Sequence, residues 1–254
     1  MLTREQWSIV PSFKKFEVIV LDCKRIIIKI SGETLSDGRQ GIDVSSVQKL
    51  AENLRAVYDT GVQLAVVVGG GNLWRGRSVD TMDRSIADNV GMLATIMNGL
   101  TLGEALTAVG VPNKVLSSIG INKVVEQYTF ASADKYLDEG KLVVFVGGTG
   151  LPYFSTDTTL ALRACEIHAD AIFFVKNVDG IYDCDPKLNP QAKKYKEITY
   201  DKIIADNLKA MDMTAIAMCR EYGIMSVVVG MDEENGVLRV LSGDKSIGTV
   251  IKPN

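Results

Sequence analysis

The sequence predicts an α/β fold, a three-layer α/β/α sandwich built around a mostly parallel central sheet. Short, almost entirely apolar runs alternate with segments whose apolar residues recur at helical spacing. Strands that are apolar at nearly every position are covered on both faces, as strands of parallel sheets are. Alternation of strand and helix then places helices on both faces of such a sheet.

The chain opens with a predicted strand–helix–strand unit. The first strand is predicted at residues 25–30, which contain consecutive isoleucines. A helix is predicted at 45–58, where apolar residues recur every three or four positions and Gly61 follows as a stop. The second strand, residues 62–68, is apolar at almost every position, as a strand covered on both faces must be.

The rest of the chain continues this alternation. A long helix is predicted at 86–109, where glycines weaken the pattern and Pro112 follows its end. Further strands are predicted at 142–146, 171–175 and 226–229, and further helices at 158–169 and 212–222. Residues 1–24 show no clear period, so we treat them as an N-terminal extension before a single domain at 25–254.

Composition excludes several classes of protein. Of the 254 residues, 46% are hydrophobic and 23% are charged, which is ordinary for a globular protein with a sizeable core. The net charge of -3 argues against a nucleic-acid partner, because phosphate backbones are bound by basic surfaces. No apolar run approaches the roughly 20 residues that span a bilayer, so we expect no membrane association.

The cysteines and the single histidine argue against a Cys/His metal site. Cys23, Cys165, Cys184 and Cys219 form no C-x-x-C pair, and His168 has the context of a helix-end residue. Scattered free thiols in a chain of this length are typical of a reducing compartment. We therefore expect a cytoplasmic protein.

Glycine and polar residues follow four of the predicted strands. The segments are Lys29-Ile30-Ser31-Gly32, Gly69-Gly70-Gly71-Asn72, Gly147-Gly148-Thr149-Gly150 and Lys176-Asn177-Val178-Asp179. Ligands of open α/β sheets bind beyond the carboxyl ends of the strands. Glycine at these places lets backbone N–H groups approach an anion closely. The two glycine clusters therefore predict phosphate binding, although one such cluster alone would be equally consistent with a tight turn.

The side chains near these strand ends suit phosphoryl transfer, which needs positioning and cations rather than covalent chemistry. Lys29 lies in a run of isoleucines, where an unpaired ammonium would be costly, and can direct a fixed charge at phosphate oxygens. Arg75 can grip a phosphate with two N–H groups. Asp157 and Asp212 can orient Lys29 or a Mg²⁺ shell, and each is also a plausible helix N-cap.

Other well-known sites are absent from the sequence. It contains no G-x-x-x-x-G-K-[ST] segment, which excludes a Walker-type site. It contains no clean G-x-G-x-x-G that opens a helix with an acid about 20 residues on, which argues against dinucleotide binding. The single histidine leaves no pattern resembling a Ser/His/Asp triad.

Five segments together resemble a known family. They are Lys29-Ile30-Ser31-Gly32-Glu33, Gly69-Gly70-Gly71-Asn72 with Arg75-Gly76, residues 90–99, Val178-Asp179-Gly180-Ile181-Tyr182 with Asp185-Pro186, and Lys209-Ala210-Met211-Asp212. In this order they resemble the motifs of the amino-acid kinase family, and within it those of the bacterial-type UMP kinases. The resemblance extends from about Lys24 to the C-terminus. It implies the amino-acid kinase fold and the Mg²⁺-ATP-dependent phosphorylation of UMP to UDP in pyrimidine nucleotide synthesis.

The resemblance also implies roles for individual residues. Those implied in ATP binding are Lys29, Ser31, Gly32, Gly71, Arg75, Lys176, Tyr182 and Asp185. Those implied in UMP binding are Gly70, Asp88, Thr149, Gly150, Leu151, Pro152, Tyr153, Phe154, Ser155 and Thr156. Asp88 would accept ribose hydroxyls, and Lys29, Asp157 and Asp212 would form the transfer site. Mg²⁺ would be carried by ATP, without direct ligation by the protein.

Family members are homohexamers, and many are inhibited by UTP and activated by GTP, so the resemblance implies these partners as well. The chain departs from the family pattern at three places. Leu151 stands where the UMP loop usually has Asn, and Lys176 stands where some members have Thr. Residues 101–105 lack the Arg-Asp pair that some members use for GTP, so we expect weak activation by GTP or none.

Two alternative functions remain open. A kinase of the same fold could phosphorylate a carboxylate or carbamate, but the long loop 149–156 and Asp88 favour a nucleotide acceptor. A non-catalytic nucleotide-binding or metal-storage protein is the second alternative. The combination of Lys29, Asp157 and Asp212 argues against it, as does the near absence of histidine.

Overall fold

A nine-stranded sheet forms the centre of the computed structural model, which describes residues 23–75, 81–231, 233 and 235–253. The sheet contains β1 (Arg25–Ile30), β2 (Gln63–Val68), β3 (Asn113–Ser117), β4 (Glu126–Gln127), β5 (Leu142–Val146), β6 (Ala171–Lys176), β9 (Glu197–Thr199), β10 (Met225–Gly230) and β11 (Thr249–Lys252). β7 (Ile181–Tyr182) and β8 (Lys194–Tyr195) form a separate two-stranded ribbon. Apart from Cys23 and Lys24, the predicted N-terminal extension lies outside the described residues.

The strand order is β4-β3-β5-β2-β1-β6-β10-β11-β9. Neighbouring strands from β4 to β10 are all parallel, whereas β11 is antiparallel to β10 and parallel to β9. The sheet is therefore mostly parallel, as predicted. The chain builds outward from β1 in both directions, which makes the boundary between β1 and β6 a topological switch point.

Helices cover both faces of the sheet. The helices are α1 (Val44–Tyr58), α2 (Arg84–Ala108), α3 (Phe130–Asp138), α4 (Thr156–Glu166), α5 (Tyr200–Ala205), α6 (Met213–Glu221) and α7 (Gly236–Leu241), with a 3-10 turn at Gly32–Leu35. α1, α2 and α7 pack on one face around one apolar core, and α3 to α6 pack on the other around a second. This arrangement confirms the predicted three-layer α/β/α sandwich.

The alternation of side chains along β1 and β6 positions two lysines. Ile28 of β1 belongs to the core beneath α1 and α2, whereas Ile27 belongs to the core beneath α4. Lys29 is two residues after Ile27 and therefore points to the α4 face. Phe174 lies in the α4-side core, so Lys176 at the end of β6 points to the same face. Both ammonium groups therefore lie at the carboxyl ends of β1 and β6, beside the switch point.

Every predicted strand and helix is present, with small shifts at the ends. The largest shift is in α4, which ends at Glu166 rather than at residue 169. It begins at Thr156 because the Ser155 hydroxyl, rather than Asp157, caps it by accepting from two backbone N–H groups. The sequence patterns did not predict three of the helices, α3, α5 and α7, or the strands β3, β4, β7, β8, β9 and β11. These strands are short, lie toward the sheet edges or form the separate ribbon, and carry few consecutive apolar residues.

No helix within the described residues is both long enough and apolar enough to cross a bilayer.

Candidate active site

A cleft of about 800 Å³ opens at the carboxyl ends of the central strands. Its walls come from the ends of β1, β2 and β6, the N-terminus of α4, the inner face of α2 and the segment that leads into α6. The predicted site residues that line it are Lys29, Gly70, Gly71, Arg75, Asp88, Thr149, Leu151, Phe154, Ser155, Thr156, Asp157, Lys176 and Asp212. One cleft therefore contains residues from both the predicted ATP set and the predicted UMP set.

Two lysines share one carboxylate in this cleft. Lys29 Nζ lies 2.7 Å from Asp157 Oδ1, and Lys176 Nζ lies 3.6 Å from Asp157 Oδ2. The Lys176 ammonium also donates a hydrogen bond to the carbonyl of Ala210. The exposed fractions of the Lys29, Asp157 and Lys176 side chains are 19%, 14% and 24%. Two ammonium groups therefore converge at the carboxyl ends of β1 and β6, an arrangement that suits a phosphate ligand.

Burial and charge have opposing effects on the pKa of Asp157. Burial alone would raise it, but the ammonium groups of Lys29 and Lys176 outweigh burial and hold the pKa below its usual value. Burial also lowers the pKa of Lys176, and the nearby Lys29 adds to this lowering while Asp157 opposes it. Although Asp157 Oδ1 contacts Lys29 as an ion pair, it has no hydrogen bond of normal geometry among the described residues.

Asp212 joins the N-termini of two helices beside the lysine cluster. It is the N-cap of α6, where its Oδ1 accepts from the N–H of Ala215 at 2.9 Å. The hydroxyl of Thr158 donates to the same carboxylate at 3.0 Å, and the hydroxyl of Ser155 donates to Oδ2. The capping role considered for Asp212 is therefore present, and it fixes α6 against the start of α4.

The glycine loop after β2 fits tightly between its neighbours. A Cβ atom on Gly70 would lie 2.8 Å from the carbonyl oxygen of Gly91 in α2. A Cβ atom on Gly32 would lie 2.6 Å from the backbone N of Gly71. Real Cβ atoms do not approach that closely, so glycine is needed at both places. The turn after β1 and the loop after β2 are in direct contact.

A buried pair of asparagines holds this loop. Asn98 of α2 donates to the carbonyl of Gly69 at 2.7 Å and to Asn72 Oδ1 at 2.7 Å. Asn72 donates to Asn98 Oδ1 at 3.1 Å and to the carbonyl of Gly41 at 2.9 Å. Both side chains are buried, and their amides satisfy one another. Neither asparagine was predicted as a site residue, although a polar residue at the inward spacing of α2 was the available signal for Asn98.

Arg75 ends the described part of the loop after β2. Its side chain is 64% exposed and pairs with Glu33 of the turn after β1. Its Nε also donates to the carbonyl of Gly71 at 3.3 Å. Arg75 thus stands at the mouth of the cleft with a weak, exposed partner that a phosphate can replace.

Asp88 has two partners at the far side of the cleft. Its carboxylate accepts from Arg84 Nε at 2.8 Å and from the backbone N–H of Tyr153 at 2.7 Å. The guanidinium of Arg84 also lies 5.8 Å from the ring centroid of Tyr153. Tyr153 has a φ of 72°, a strained value for a residue with a side chain. Asp88 therefore ties the loop 149–156 to α2, and Arg84 is a cleft residue that the sequence analysis missed.

Some predicted residues lie outside the main cleft. Ser31, Gly32, Gly150, Pro152, Tyr153, Tyr182 and Asp185 do not line it. Tyr182 lines a separate pocket of about 450 Å³ with Asp179 and Gly230, next to the ends of β6 and β10. Asp185 lines neither pocket, and its carboxylate accepts from the N–H of Lys187 at 2.9 Å.

The carboxylates nearest to the two lysines already have protein partners. No group of three or more His, Cys, Asp or Glu side chains within the described ranges is arranged to hold an ion. In the cleft, Asp157 is already committed to two lysines and Asp212 to a helix end. This donor set suits a cation that is bound mainly by ligand oxygens.

Known proteins are similar to this chain over most of its length. Residues 24–230 match the profile of the amino acid kinase family. A uridylate kinase of Pediococcus pentosaceus is 46% identical over 233 residues, which is 90% of this chain and 96% of that protein.

Two solved structures are also similar over nearly the whole fold. The UMP kinase from Ureaplasma parvum has a TM-score of 0.85 and 40% identity, over 90% of this chain and 98% of its own. The UMP kinase from Bacillus anthracis has a TM-score of 0.88 and 35% identity, over 91% and 97%. The chain belongs to the amino acid kinase family.

Proposed function

We propose that the chain is a UMP kinase, which transfers the γ-phosphoryl group of ATP to the phosphate of UMP and yields ADP and UDP. The main support is that one cleft holds the Lys29–Asp157–Lys176 cluster between the glycine loop after β2 and the loop 149–156. The similarity to proteins named uridylate kinase and UMP kinase supports the choice of acceptor.

We further propose that residues 25–254 act as one catalytic domain. The acceptor would bind the N-terminal part, which contributes Asp88 and the loop 149–156. ATP would bind toward the C-terminal part, with its phosphates reaching the ends of β1 and β6. The continuous sheet that joins both parts supports this assignment, because the switch point lies between them.

In this proposal the cluster stabilises the charge that develops during transfer. Lys29 and Lys176 would contact oxygens of the transferring group, and Asp157 would hold both ammonium groups in place. Asp212 would fix the helix N-termini beside them. Backbone N–H groups of Gly70 and Gly71, with Arg75, would orient the phosphates for in-line attack. Ser31 and Gly32 would contribute through the backbone of the neighbouring turn.

Mg²⁺ is proposed to enter with ATP and to be held mainly by phosphate oxygens, where it would neutralise charge on the phosphates. Asp157 and Asp212 are the carboxylates nearest to the proposed transfer site and would act on the hydration shell of the ion rather than on the ion itself.

The acceptor would lie between α2 and the loop 149–156. Phe154 and Leu151 line the cleft there and are 47% and 59% exposed, so they can cover an apolar face of the uracil ring. The adenine of ATP is proposed to occupy the separate pocket beside Tyr182. That pocket lies at the ends of β6 and β10, on the opposite side of β1 from β2, so the two bases would bind apart.

The decisive experiment measures ADP formation with Mg²⁺-ATP and separate acceptors: UMP, CMP, acetylglutamate, aspartate and carbamate. We expect turnover with UMP and far less with the others. Turnover with a carboxylate or carbamate would retain the fold and overturn the acceptor. ATP binding without turnover on any acceptor would support the non-catalytic alternative.

Replacing Asp88 with asparagine should weaken UMP binding more than ATP binding. Asparagine keeps one acceptor oxygen for the N–H of Tyr153 but loses the charge that pairs with Arg84 and would accept ribose hydroxyls. We expect KM for UMP to rise about tenfold or more, since a charge-assisted hydrogen bond contributes about 1.5–3 kcal/mol. Asp59→Asn, which breaks a similar pair with Arg55 on α1, is the control. Equal increases in both KM values would contradict a ribose contact.

Regulation is proposed to rest on UTP rather than on GTP. UTP shares the base and ribose of UMP and would compete for the acceptor site. Residues 101–105 of α2 lack the Arg-Asp pair noted above, so GTP should change the rate by less than about twofold, below typical allosteric couplings. Rates measured over a GTP titration at fixed ATP and UMP test this. A strong, saturable increase would show that other residues form an effector site.

The chain is proposed to act as a homohexamer in the cytoplasm. Ile86, Leu93 and Met97 of α2 are each about half exposed, with fractions of 53%, 45% and 55%. Their spacing places them on one face of the helix, away from the cleft. An exposed apolar stripe of this kind supports burial against a second copy. Light scattering of the purified protein would give the subunit number.

A further inference from the structure

A buried ionic cluster lies beneath the glycine turn that opens the loop 149–156, and none of the roles above uses it. The guanidinium of Arg163, on α4, is 3% exposed and lies 3.9 Å from the ring centroid of Tyr128. It pairs with Glu166, whose Oε2 also accepts the hydroxyl of Tyr128 at 2.6 Å. Burial and the bond to Glu166 raise the pKa of Tyr128, so this hydroxyl remains a donor at neutral pH.

Stability alone does not account for an arginine at this place. Burying a guanidinium is costly, and an apolar residue of similar size often serves stability equally well. The Nε of Arg163 has no hydrogen-bond partner among the described residues, so part of its desolvation is uncompensated. A role other than packing therefore explains the buried arginine better.

The cluster reaches the glycine turn through one serine. Arg163 Nη2 donates to Ser118 Oγ at 2.9 Å, and Ser118 Oγ donates to the carbonyl of Gly148 at 2.8 Å. A guanidinium has donors and no acceptor. The serine hydroxyl must therefore accept from Arg163, which leaves its own proton to point at Gly148. The arginine thus sets the direction of the hydrogen bond that holds the turn.

This turn benefits from a restraining hydrogen bond because its backbone conformation is unusual. Gly147, Gly148 and Gly150 all have left-handed φ values, 76°, 57° and 82°. Glycine adopts these values freely but also leaves them freely, because no Cβ restricts it. Ser118 lies directly underneath, since a Cβ on Gly150 would be 3.1 Å from the Ser118 carbonyl oxygen. The N–H of Gly147 donates to Thr95 Oγ1 and that of Gly150 to the carbonyl of Gly147. The hydrogen bond from Ser118 adds a restraint on Gly148, which lies between them.

We propose that Arg163 is a positioning residue for the acceptor, which acts through Ser118 to fix Gly148 and thereby the loop 149–156. This inference rests on the proposed function in so far as that loop binds UMP. Arg163 itself does not touch the acceptor.

The first test is amide hydrogen exchange across residues 148–154 in the ligand-free protein. Ser118→Ala removes the link with little change in volume and leaves the Arg163–Glu166 pair intact. Ser117→Ala is the matched control, because the hydroxyl of Ser117 bonds within its own turn, to Ile119. Exchange in the loop should accelerate about tenfold in Ser118→Ala, as for the loss of one hydrogen bond, and stay near wild type in the control. Unchanged exchange in Ser118→Ala would overturn the proposal.

The second test is steady-state kinetics with UMP and ATP varied separately. Ser118→Ala and Arg163→Met should each raise KM for UMP at least about fivefold, while KM for ATP stays within about twofold. The double variant should be no worse in KM for UMP than Arg163→Met, because both changes break the same link. Equal increases for both substrates, or a lowered melting temperature with unchanged KM for UMP, would assign the cluster to stability alone.

The experiments distinguish a failure of this inference from a failure of the proposed function. Absence of UMP turnover by the wild-type protein would refute the proposed function, whereas the exchange experiment involves no substrate and still decides on the link. Arg163→Met is the variant more prone to misfold. If it does misfold, the exchange and kinetic results for Ser118→Ala alone test the proposal.

Discussion

Replacing Lys29 with alanine should lower kcat for ADP formation with UMP by at least about a hundredfold, since one preorganised cation contributes about 3 kcal/mol to transition-state stabilisation. The ammonium group of Lys29 lies 2.7 Å from Asp157 and emerges at the switch point of the sheet. Its removal leaves Asp157 paired with Lys176, so the fold keeps a partner for the buried carboxylate. The loss should therefore fall on turnover more than on stability.

Lys252→Ala is the matched control for Lys29→Ala. Lys252 is also a strand lysine with one carboxylate partner, Glu197 at 2.6 Å, but it lies on an exposed part of β11. Both variants should unfold close to the wild-type melting temperature, and the control should keep its kcat. A decrease of less than about threefold in Lys29→Ala, far below the effect of a preorganised donor, would remove Lys29 from the transfer site.

Replacing Asp157 with asparagine should reduce both turnover and stability. The substitution leaves Lys29 and Lys176 close together without the anion that they share. We expect kcat to fall at least about a hundredfold, because neither cation keeps its position. The free energy of unfolding should fall by about 1–2 kcal/mol at pH 7, less than for a fully buried ion pair because the cleft admits water.

The pH dependence of the stability loss in Asp157→Asn shows whether the loss comes from the charge of Asp157. The folded-state pKa of Asp157 is below the ordinary value of 3.8, so its contribution to stability is complete above that value and is lost as the pH falls through the lower, folded-state pKa. The difference in free energy of unfolding between wild type and Asp157→Asn should be constant from pH 7 to about pH 5 and should decrease below about pH 4. Urea unfolding of both proteins at several pH values measures it.

Asp206→Asn is the control for this titration. Asp206 pairs with Lys202 at 2.6 Å, but both side chains are exposed. Its replacement should change stability little at any pH. A stability loss in Asp157→Asn that persisted unchanged to pH 3 would show that shape, rather than charge, is responsible.

The sequence was most informative where a residue's local environment is unusual. A lysine after a row of isoleucines predicts a special position, and the alternation in β1 explains why it faces α4. Glycine clusters after all-apolar strands likewise predict the cleft. In each case one segment of the chain contains both the signal and its physical reason.

The residues that were missed depend on partners far away in the chain. Arg84 resembles any helix-surface arginine until the loop with Tyr153 folds back onto Asp88. Asn98 gains its partners from the loop after β2, and Arg163 gains Ser118 from the end of β3. The inward position of Asn98 on α2 indicates a buried polar residue, but no local pattern identifies the partners of these side chains, because each contact depends on tertiary packing.

The place of β1 in the sheet has a consequence for protein synthesis. Ile26 pairs with Leu64 on one side and with Ala171 on the other, so the two neighbours of β1 leave the ribosome far apart in time. In a nascent chain that ends before Ala171, β1 is an unpaired apolar edge strand, although it lies at the centre of the finished sheet. Asp157 and Lys176 likewise emerge long after Lys29. The charge cluster can therefore assemble only late in synthesis, after Asp157 and Lys176 have both emerged.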